Sequence, residues 1–292
     1  MSVNLGTGAA RQLFDDSYKA AYESAGPDLR PYVTFRSQMG VDTYKFRTMG
    51  RGMAKARGTS QSGLDALGVA HATVTATLES WYASELTDVF DQDKTNAPQE
   101  VPALAKVLAN ATKRRETQLV IDALNGVAGS LNANNIIPEG TDGTGLTIDK
   151  LLKARRALKA NDIMETPCLL LTEKQEADLL ALQQFTSADY TASSGAETGN
   201  VRQGHFGFNY MLVGSGRDEA GLPSGVTDSG NSSTDNRRIF AFVPSAVGLV
   251  VGLNKTEVNY ESAYASWRST AMLRAGACVI DKLGVVSILC DE

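Results

Sequence analysis

The sequence is poor in the residues on which chemistry usually depends. Its 292 residues include two histidines, His71 and His205, and three cysteines, Cys168, Cys278 and Cys290. Neither histidine has a cysteine, carboxylate or second histidine at metal-ligand spacing, so both read as surface or interface residues. The cysteines are odd in number and widely spaced, which argues against a disulfide framework and fits reduced thiols in a cytoplasm. No apolar run approaches the roughly 18 residues of a membrane-spanning helix, so a soluble protein without a membrane partner is expected. The leader MSVNLGTGAARQ has neither a basic segment nor an apolar core, and no secretory signal is expected. The glycosylation-type triplets at Asn110, Asn231 and Asn254 are then chance matches.

Catalytic patterns are missing as well. There is no Gly-x-Ser-x-Gly elbow. Asp15 and Asp16 are adjacent and project to different sides of a helix, which makes them a solvated face rather than an acid–base pair. Glu139, Asp142, Asp228 and Asp235 lie in glycine-rich loops that lack the calcium-loop pattern. Gly50, Gly52 and Gly58 have neither Walker nor dinucleotide spacing. The chain therefore reads as a non-enzyme, with no catalytic, cofactor-binding or metal residues and no cofactor.

What is present is an order of parts. At this length about two domains are expected. Residues 1–8 are small and polar, and Leu13, Phe14, Tyr18, Ala21, Tyr22 and Ala25 then recur at helical spacing until Gly26-Pro27. Val33 and Phe35, Tyr44 and Phe46, and Val74, Ala76 and Leu78 alternate with polar residues. Residues 30–80 are thus expected to form a long two-stranded ribbon, which is marginal alone and must lie on something. An acidic stretch leads to a helix with apolar positions Val101, Leu104, Leu108, Ala111, Leu119 and Ala123, whose Lys113-Arg114-Arg115 faces solvent or a partner. A Gly/Asn-rich connector covers 126–146. Thr147 caps a helix ending near Asn161, Pro167–Leu171 is a buried strand, and Thr172 with Gln175 opens a helix over 173–184. Strands are expected at 206–213, at 237–252 (running into a helix or second strand) and around the half-buried Val258, Tyr260 and Tyr264. A hairpin joins 277–280 to 285–290.

Charge is unevenly placed. The formal net charge is −5, yet YKFRTMGRGMAKARG (44–58) carries Lys45, Arg47, Arg51, Lys55 and Arg57 with no acid. Such a loop suits a nucleic-acid arm, a phosphate cradle or a grip on another protein. The acidic total, and the lack of stacking aromatics among the cations from Arg47 to Arg57, weigh against nucleic acid. The glycine spacing weighs against the cradle. A protein partner is available in the chain's own acidic residues Glu79, Glu85, Asp88, Asp91 and Asp93. Basic and acidic patches on identical molecules make a head-to-tail contact. The alternative, a nucleic-acid-binding module using residues 45–57, stays open.

The local wording adds a resemblance. AAYESAGPDLRPYV (20–33), LLLTEKQEADLLALQQFTSADYT (169–191), GHFGFNYMLVGSG (204–216) and LRAGACVIDKLGVVSI (273–288) resemble segments of tailed-bacteriophage major capsid proteins. That family has the Hong Kong 97-type fold. The resemblance implies an α+β chain with an N-terminal arm and helix (1–28), an extended β-hairpin loop (29–80) and a peripheral domain with a long spine helix (81–130). An α/β axial domain (131–254) and return strands (255–292) complete it. It implies a shell subunit that self-assembles into hexamers and pentamers around double-stranded DNA without sequence-specific binding. Scaffolding, portal and decoration proteins are further implied partners. The implied location is the virion capsid, assembled in the bacterial host cytoplasm. A cellular nanocompartment shell of the same fold is the rival within the resemblance.

The arm stripe Leu13, Phe14, Tyr18 and Tyr22 has too few local partners to hold a helix alone and is expected to be buried on assembly. Replacing Phe14 and Tyr22 by Ala should cost about 3 to 5 kcal/mol per buried ring and yield labile particles before unfolded subunits. Hydrogen exchange should be fast at residues 10–25 in unassembled subunits and slow in particles; equal protection in both would place the helix in the subunit's own core.

Overall fold

The computed structural model describes residues 26–56, 66, 68–90, 100–140, 144–186, 201, 203–216, 219–225 and 236–291, with 100–102 described by backbone alone. The helix expected over 9–25 lies outside these residues. In chain order the elements are β1 (Thr34–Ser37), β2 (Thr43–Met49), β3 (His71–Thr77), β4 (Glu79–Asp88), α1 (Glu100–Ala128), β5 (Ile136–Ile137), α2 (Ile148–Ala160), β6 (Cys168–Leu171), α3 (Glu173–Leu180), α4 (Gln183–Thr186), β7 (Asn209–Leu212), β8 (Asn236–Phe242), β9 (Val247–Glu261), β10 (Ser266–Val279) and β11 (Val285–Asp291). They divide into two compact units. The smaller includes Trp81–Thr112 and Lys255–Met272; the larger comprises Gly26–Ser80, Lys113–Asn254 and Leu273–Glu292.

The larger unit is built on a five-stranded mixed sheet in the order β5-β11-β8-β6-β7. Leu169, Leu170, Phe240, Phe242, Val285 and Ile288 are fully buried, as expected of central strands covered on both faces. In α2, Leu151, Ala154, Ala157 and Leu158 form the buried stripe, and Thr147 Oγ1 accepts from Lys150 N at 3.4 Å. In α3, Gln175 Oε1 accepts from Thr172 N at 2.8 Å, the predicted capping box. Helix α3 stops at Leu180, however, and the short α4 follows, so the expected helix over 173–184 is broken.

Buried polar groups tie this unit together. Arg30 grips Glu116 of α1 with two hydrogen bonds, at 2.6 and 2.7 Å. The buried Asn135 donates to Leu283 O and Val285 O, and Asn161 donates to Asn135 Oδ1. Lys150 is buried with its ammonium donating to Thr144 O, Gly145 O and Leu289 O. Burial pushes its pKa down, so those carbonyls supply the solvation that water no longer provides.

Several expectations are corrected. The segment 34–37 leaves the ribbon: β1 pairs in parallel with β9, Thr34 opposite Gly248 through Ser37 opposite Val251. The ribbon is β2 and β3 alone, antiparallel from Thr43/Thr77 to Met49/His71. The acidic stretch contains a ten-residue strand, β4. The stretch 237–252 runs from one strand into a second, β8 into β9, and β9 continues unbroken to Glu261, so Val258 and Tyr260 belong to it rather than to a separate strand. The strand expected at 206–213 begins at Asn209, after a 3-10 turn at His205–Gly207. The 277–290 hairpin does not form, because β10 and β11 belong to different sheets. Strand β11 is buried along nearly its whole length, and its two edges are paired with β8 and β5 instead of with β10. In the larger unit's half of α1 the buried apolar positions are Val120, Ile121, Leu124 and Ala128, not the Leu119/Ala123 stripe, with Glu116, Thr117 and Gln118 buried beside them. Arg114 is buried, and Arg115 lies 3.4 Å from Glu219, so only Lys113 of that basic triplet is exposed.

The ribbon finds the support it needs within the larger unit. Phe46, Ala76 and Leu78 form a buried cluster with Val250 of β9 and Cys278 of β10, flanked by Tyr44, Val74 and Ile280. Two glycines permit the approach. A Cβ on Gly248 would stand 2.6 Å from the Phe46 ring, and one on Gly276 would collide with the Thr77 carbonyl. Gly276→Ala should therefore force the ribbon off its seat and cost about 1–3 kcal/mol, the usual overpacking range. A lower Tm together with faster amide exchange at residues 43–49 and 71–77 is the expected result.

Candidate assembly interface

The seat determines what the ribbon shows. Strand residues alternate between faces. With Phe46 and Ala76 turned inward, Lys45, Arg47, Thr73 and Thr75 are exposed, Lys45 opposite Thr75 and Arg47 opposite Thr73. No acid lies on this face of the paired strands. Met49, at the end of β2, is 75% exposed, and beyond the strands Met53 (83%) and Lys55 are exposed as well. Sequence reasoning gave these two methionines no weight, although both stand within the basic run. Unbranched thioethers adapt to irregular protein surfaces, so the tip combines charge with deformable apolar contact.

Arg51 behaves differently from its neighbours. Its guanidinium donates to the carbonyl of Asn161 and approaches Asp162 Oδ2 at 4.0 Å. Asn161 follows the last residue of α2, where unpaired carbonyls and the helix dipole favour a cation. Arg51 is thus an anchor, while Lys45, Arg47 and Lys55 are the cations presented to solvent. Arg57 lies outside the described residues.

The predicted acidic counter-surface is spread out. Glu79, Glu85 and Asp88 are exposed on β4, but Glu85 and Asp88 have opposite parity and project from opposite faces. Asp88 Oδ1 also accepts from Phe90 N at 2.7 Å. Asp91, Asp93 and the arm residues Leu13, Phe14, Tyr18 and Tyr22 lie outside the described residues.

The histidines have ordinary environments. His71 is exposed opposite Met49. The His205 ring stacks edge-on against Phe185 at 4.6 Å and meets Gln184 O at 3.2 Å. All three thiols are unpaired and buried. Burial pushes Cys278 up to about 11 and Cys290 up to about 12, and raises Cys168 as well. None is a nucleophile at neutral pH.

In the smaller unit the expected half-buried strand is exposed instead. Val258, Tyr260, Tyr264 and Trp267 gather at the β9–β10 turn with substantial exposure. Their alternation with polar residues is the same pattern that marks a buried face, so sequence period alone could not separate the two cases.

A family model for phage capsid proteins matches residues 7–292. The chain belongs to the phage capsid protein family. Solved structures agree in fold. The capsid of cyanophage P-SCSP1u superposes with a TM-score of 0.71 at 15% identity, covering 94% of this chain and 91% of that one. The head of Helicobacter pylori bacteriophage KHP40 gives 0.69 at 10% identity, covering 99% of each chain. The capsid of the native GTA particle gives 0.68 at 14% identity, covering 99% of this chain and 98% of that one. No curated protein sequence matches the chain. The fold is therefore that of tailed-phage capsid subunits, the Hong Kong 97-type fold which the sequence resemblance implied.

For a capsid-family chain, the exposed cations are the first residues to test. Lys45→Glu with Arg47→Glu leaves the Phe46/Ala76/Leu78 cluster intact, so circular dichroism and Tm should match the parent. Sedimentation should show particle yield reduced at least tenfold. Each exposed pair contributes only about 0–1 kcal/mol, but the loss recurs at every subunit. Normal particles at normal yield would make the basic face a solvated surface only.

Proposed function

We propose that copies of this chain build the closed icosahedral shell that encloses the double-stranded DNA of a tailed bacteriophage. The observation that carries this reading is the family match over residues 7–292, supported by full-length similarity to capsid folds. Hexamers and pentamers are the assembly units, formed in the host cytoplasm, with scaffolding, portal and decoration proteins as auxiliary partners.

The ribbon suits the shell reading. Its outward face carries cations of one sign, so it must meet a different, acidic surface on the neighbouring copy. Such a head-to-tail contact generates rings. Of the exposed acids on β4, Glu85 and Asp88 project from opposite faces, so only one of them serves a given contact, with Asp91 and Asp93 following in sequence. The arm stripe Leu13, Phe14, Tyr18 and Tyr22 gives a second, apolar contact. The net charge of −5 suits a container whose wall does not hold phosphate tightly, which favours a shell over a dedicated nucleic-acid module.

Overexpression followed by electron microscopy and sedimentation tests the proposal. Megadalton closed particles are expected, and the unassembled subunit should show no strong salt-dependent DNA affinity. A chain that stays monomeric under all conditions while binding DNA with a steep salt slope would overturn the shell reading in favour of the nucleic-acid module. Particles that contain protein cargo and no DNA would instead favour a nanocompartment.

A further inference from the structure

We propose that Arg51 is a releasable latch, which holds the loop beyond β2 against its own subunit before assembly and lets go as the ribbon meets a neighbouring copy. The inference rests on the shell reading above and deepens it by naming a step that governs when a subunit is competent to assemble.

The latch closes on a ready-made cation site. Helix α2 ends at Ala160, and the backbone N–H of its C-cap, Asn161, turns back to Ala157 O. The Asn161 carbonyl has no donor farther along the helix, and the helix dipole adds negative potential there. Arg51 supplies the donor, and its guanidinium also stands 4.0 Å from Asp162 Oδ2. The receiving side is fixed. Asn161 Nδ2 donates to Asn135 Oδ1 at 3.1 Å and to Leu283 O at 3.0 Å, so the cap belongs to the polar network behind it.

Burial separates a latch from a permanent tie. Arg30 on Glu116 is the permanent kind, bidentate at 2.6 and 2.7 Å onto a carboxylate whose side chain is 7% exposed. The side chains of Arg51 and Asp162 are 64% and 76% exposed. Water and salt reach that contact freely, so it favours the closed loop by about fivefold at most. A carboxylate on a neighbouring copy makes a charge-assisted bond with the guanidinium and displaces the neutral carbonyl.

The flanking sequence suits such a movement. The run is Met49-Gly50-Arg51-Gly52-Met53, with a glycine on each side of the latch. Gly50 N donates to Ala70 O at 2.7 Å, one rung past the Met49/His71 pair, and the chain then leaves the ribbon. The closed loop does not require glycine at position 50. Its φ lies outside the left-handed region, and a Cβ there would meet Ala70 at 3.4 Å, an ordinary contact. The freedom that glycine adds is unused in the closed loop and serves a second position of it. Opening adds Arg51 to Lys45, Arg47 and Lys55, which are exposed already.

A double variant, Arg51→Cys with Asp162→Cys, tests release directly. The three native thiols are buried, with Cys278 raised to about 11 and Cys290 to about 12, so a short bismaleimide reacts at the two introduced positions. In dilute unassembled subunits an intramolecular bridge is expected, read by mass spectrometry of the linked peptides. Bridged subunits should lose particle yield roughly tenfold, because a closed loop that cannot open leaves no competent population. The same variant capped with a monofunctional maleimide should assemble like the parent. Bridged subunits that assemble at normal yield would make Arg51 a permanent anchor and overturn the proposal. Two thiols that cap readily but never bridge in unassembled subunits would show the loop already open, and overturn it too.

Asp162→Arg sets a like charge against the latch while leaving Arg51 in place. Amide exchange at residues 50–56 should speed up in unassembled subunits, and particles should appear at a subunit concentration about threefold lower. A higher concentration would mean that the contact prepares the ribbon for assembly instead of restraining it, which contradicts the proposal. If circular dichroism shows this variant misfolded, the bridging result decides. A parent chain that forms no particles strikes the shell reading and the release step with it; bridging in the unassembled subunit then reports the closed contact alone.

Discussion

A seven-residue pair of strands cannot bury enough apolar surface to stand alone in water, and much of the larger unit's outer chemistry depends on how that problem is solved. Phe46, Ala76 and Leu78 close against Val250 and Cys278, and the backbone of β10 comes so near Thr77 that position 276 tolerates no side chain. Once one face is committed to the seat, the period of two commits the other. Lys45 and Arg47 are outside because Phe46 is inside. Arg51 then fastens the chain beyond β2 to the end of α2, so the cations project from a surface attached at two places within one unit.

Behind these surfaces, the larger unit is stiffened by polar groups that would be costly to leave unpaired. Arg30 on Glu116, Asn135 on the 283–285 turn and Lys150 on three carbonyls each join segments far apart in sequence. Hydrogen bonds of this kind contribute modest net stability but strongly disfavour other arrangements, because a broken one strands a buried donor or acceptor. A subunit that must repeat the same geometry in every copy benefits from that kind of restriction.

The sequence by itself determined what depends on neighbours a few residues away. The Thr147 cap, the Thr172/Gln175 box and the alternation through 73–77 are local, and all are present in the structure. The order of parts, together with segments such as 204–216 and 273–288, was enough to reach the family. Only the tertiary structure decided which strands meet and which faces are covered. Residues 34–37 alternate like the ribbon yet pair with β9, and β10 and β11 adjoin in sequence yet enter different sheets. Arg114 reads as a surface cation and is buried, while Tyr260 reads as half-buried and is exposed. Periodicity records that a face differs from its opposite; it carries no information about what lies against that face, because the covering residues come from distant parts of the chain or from another molecule.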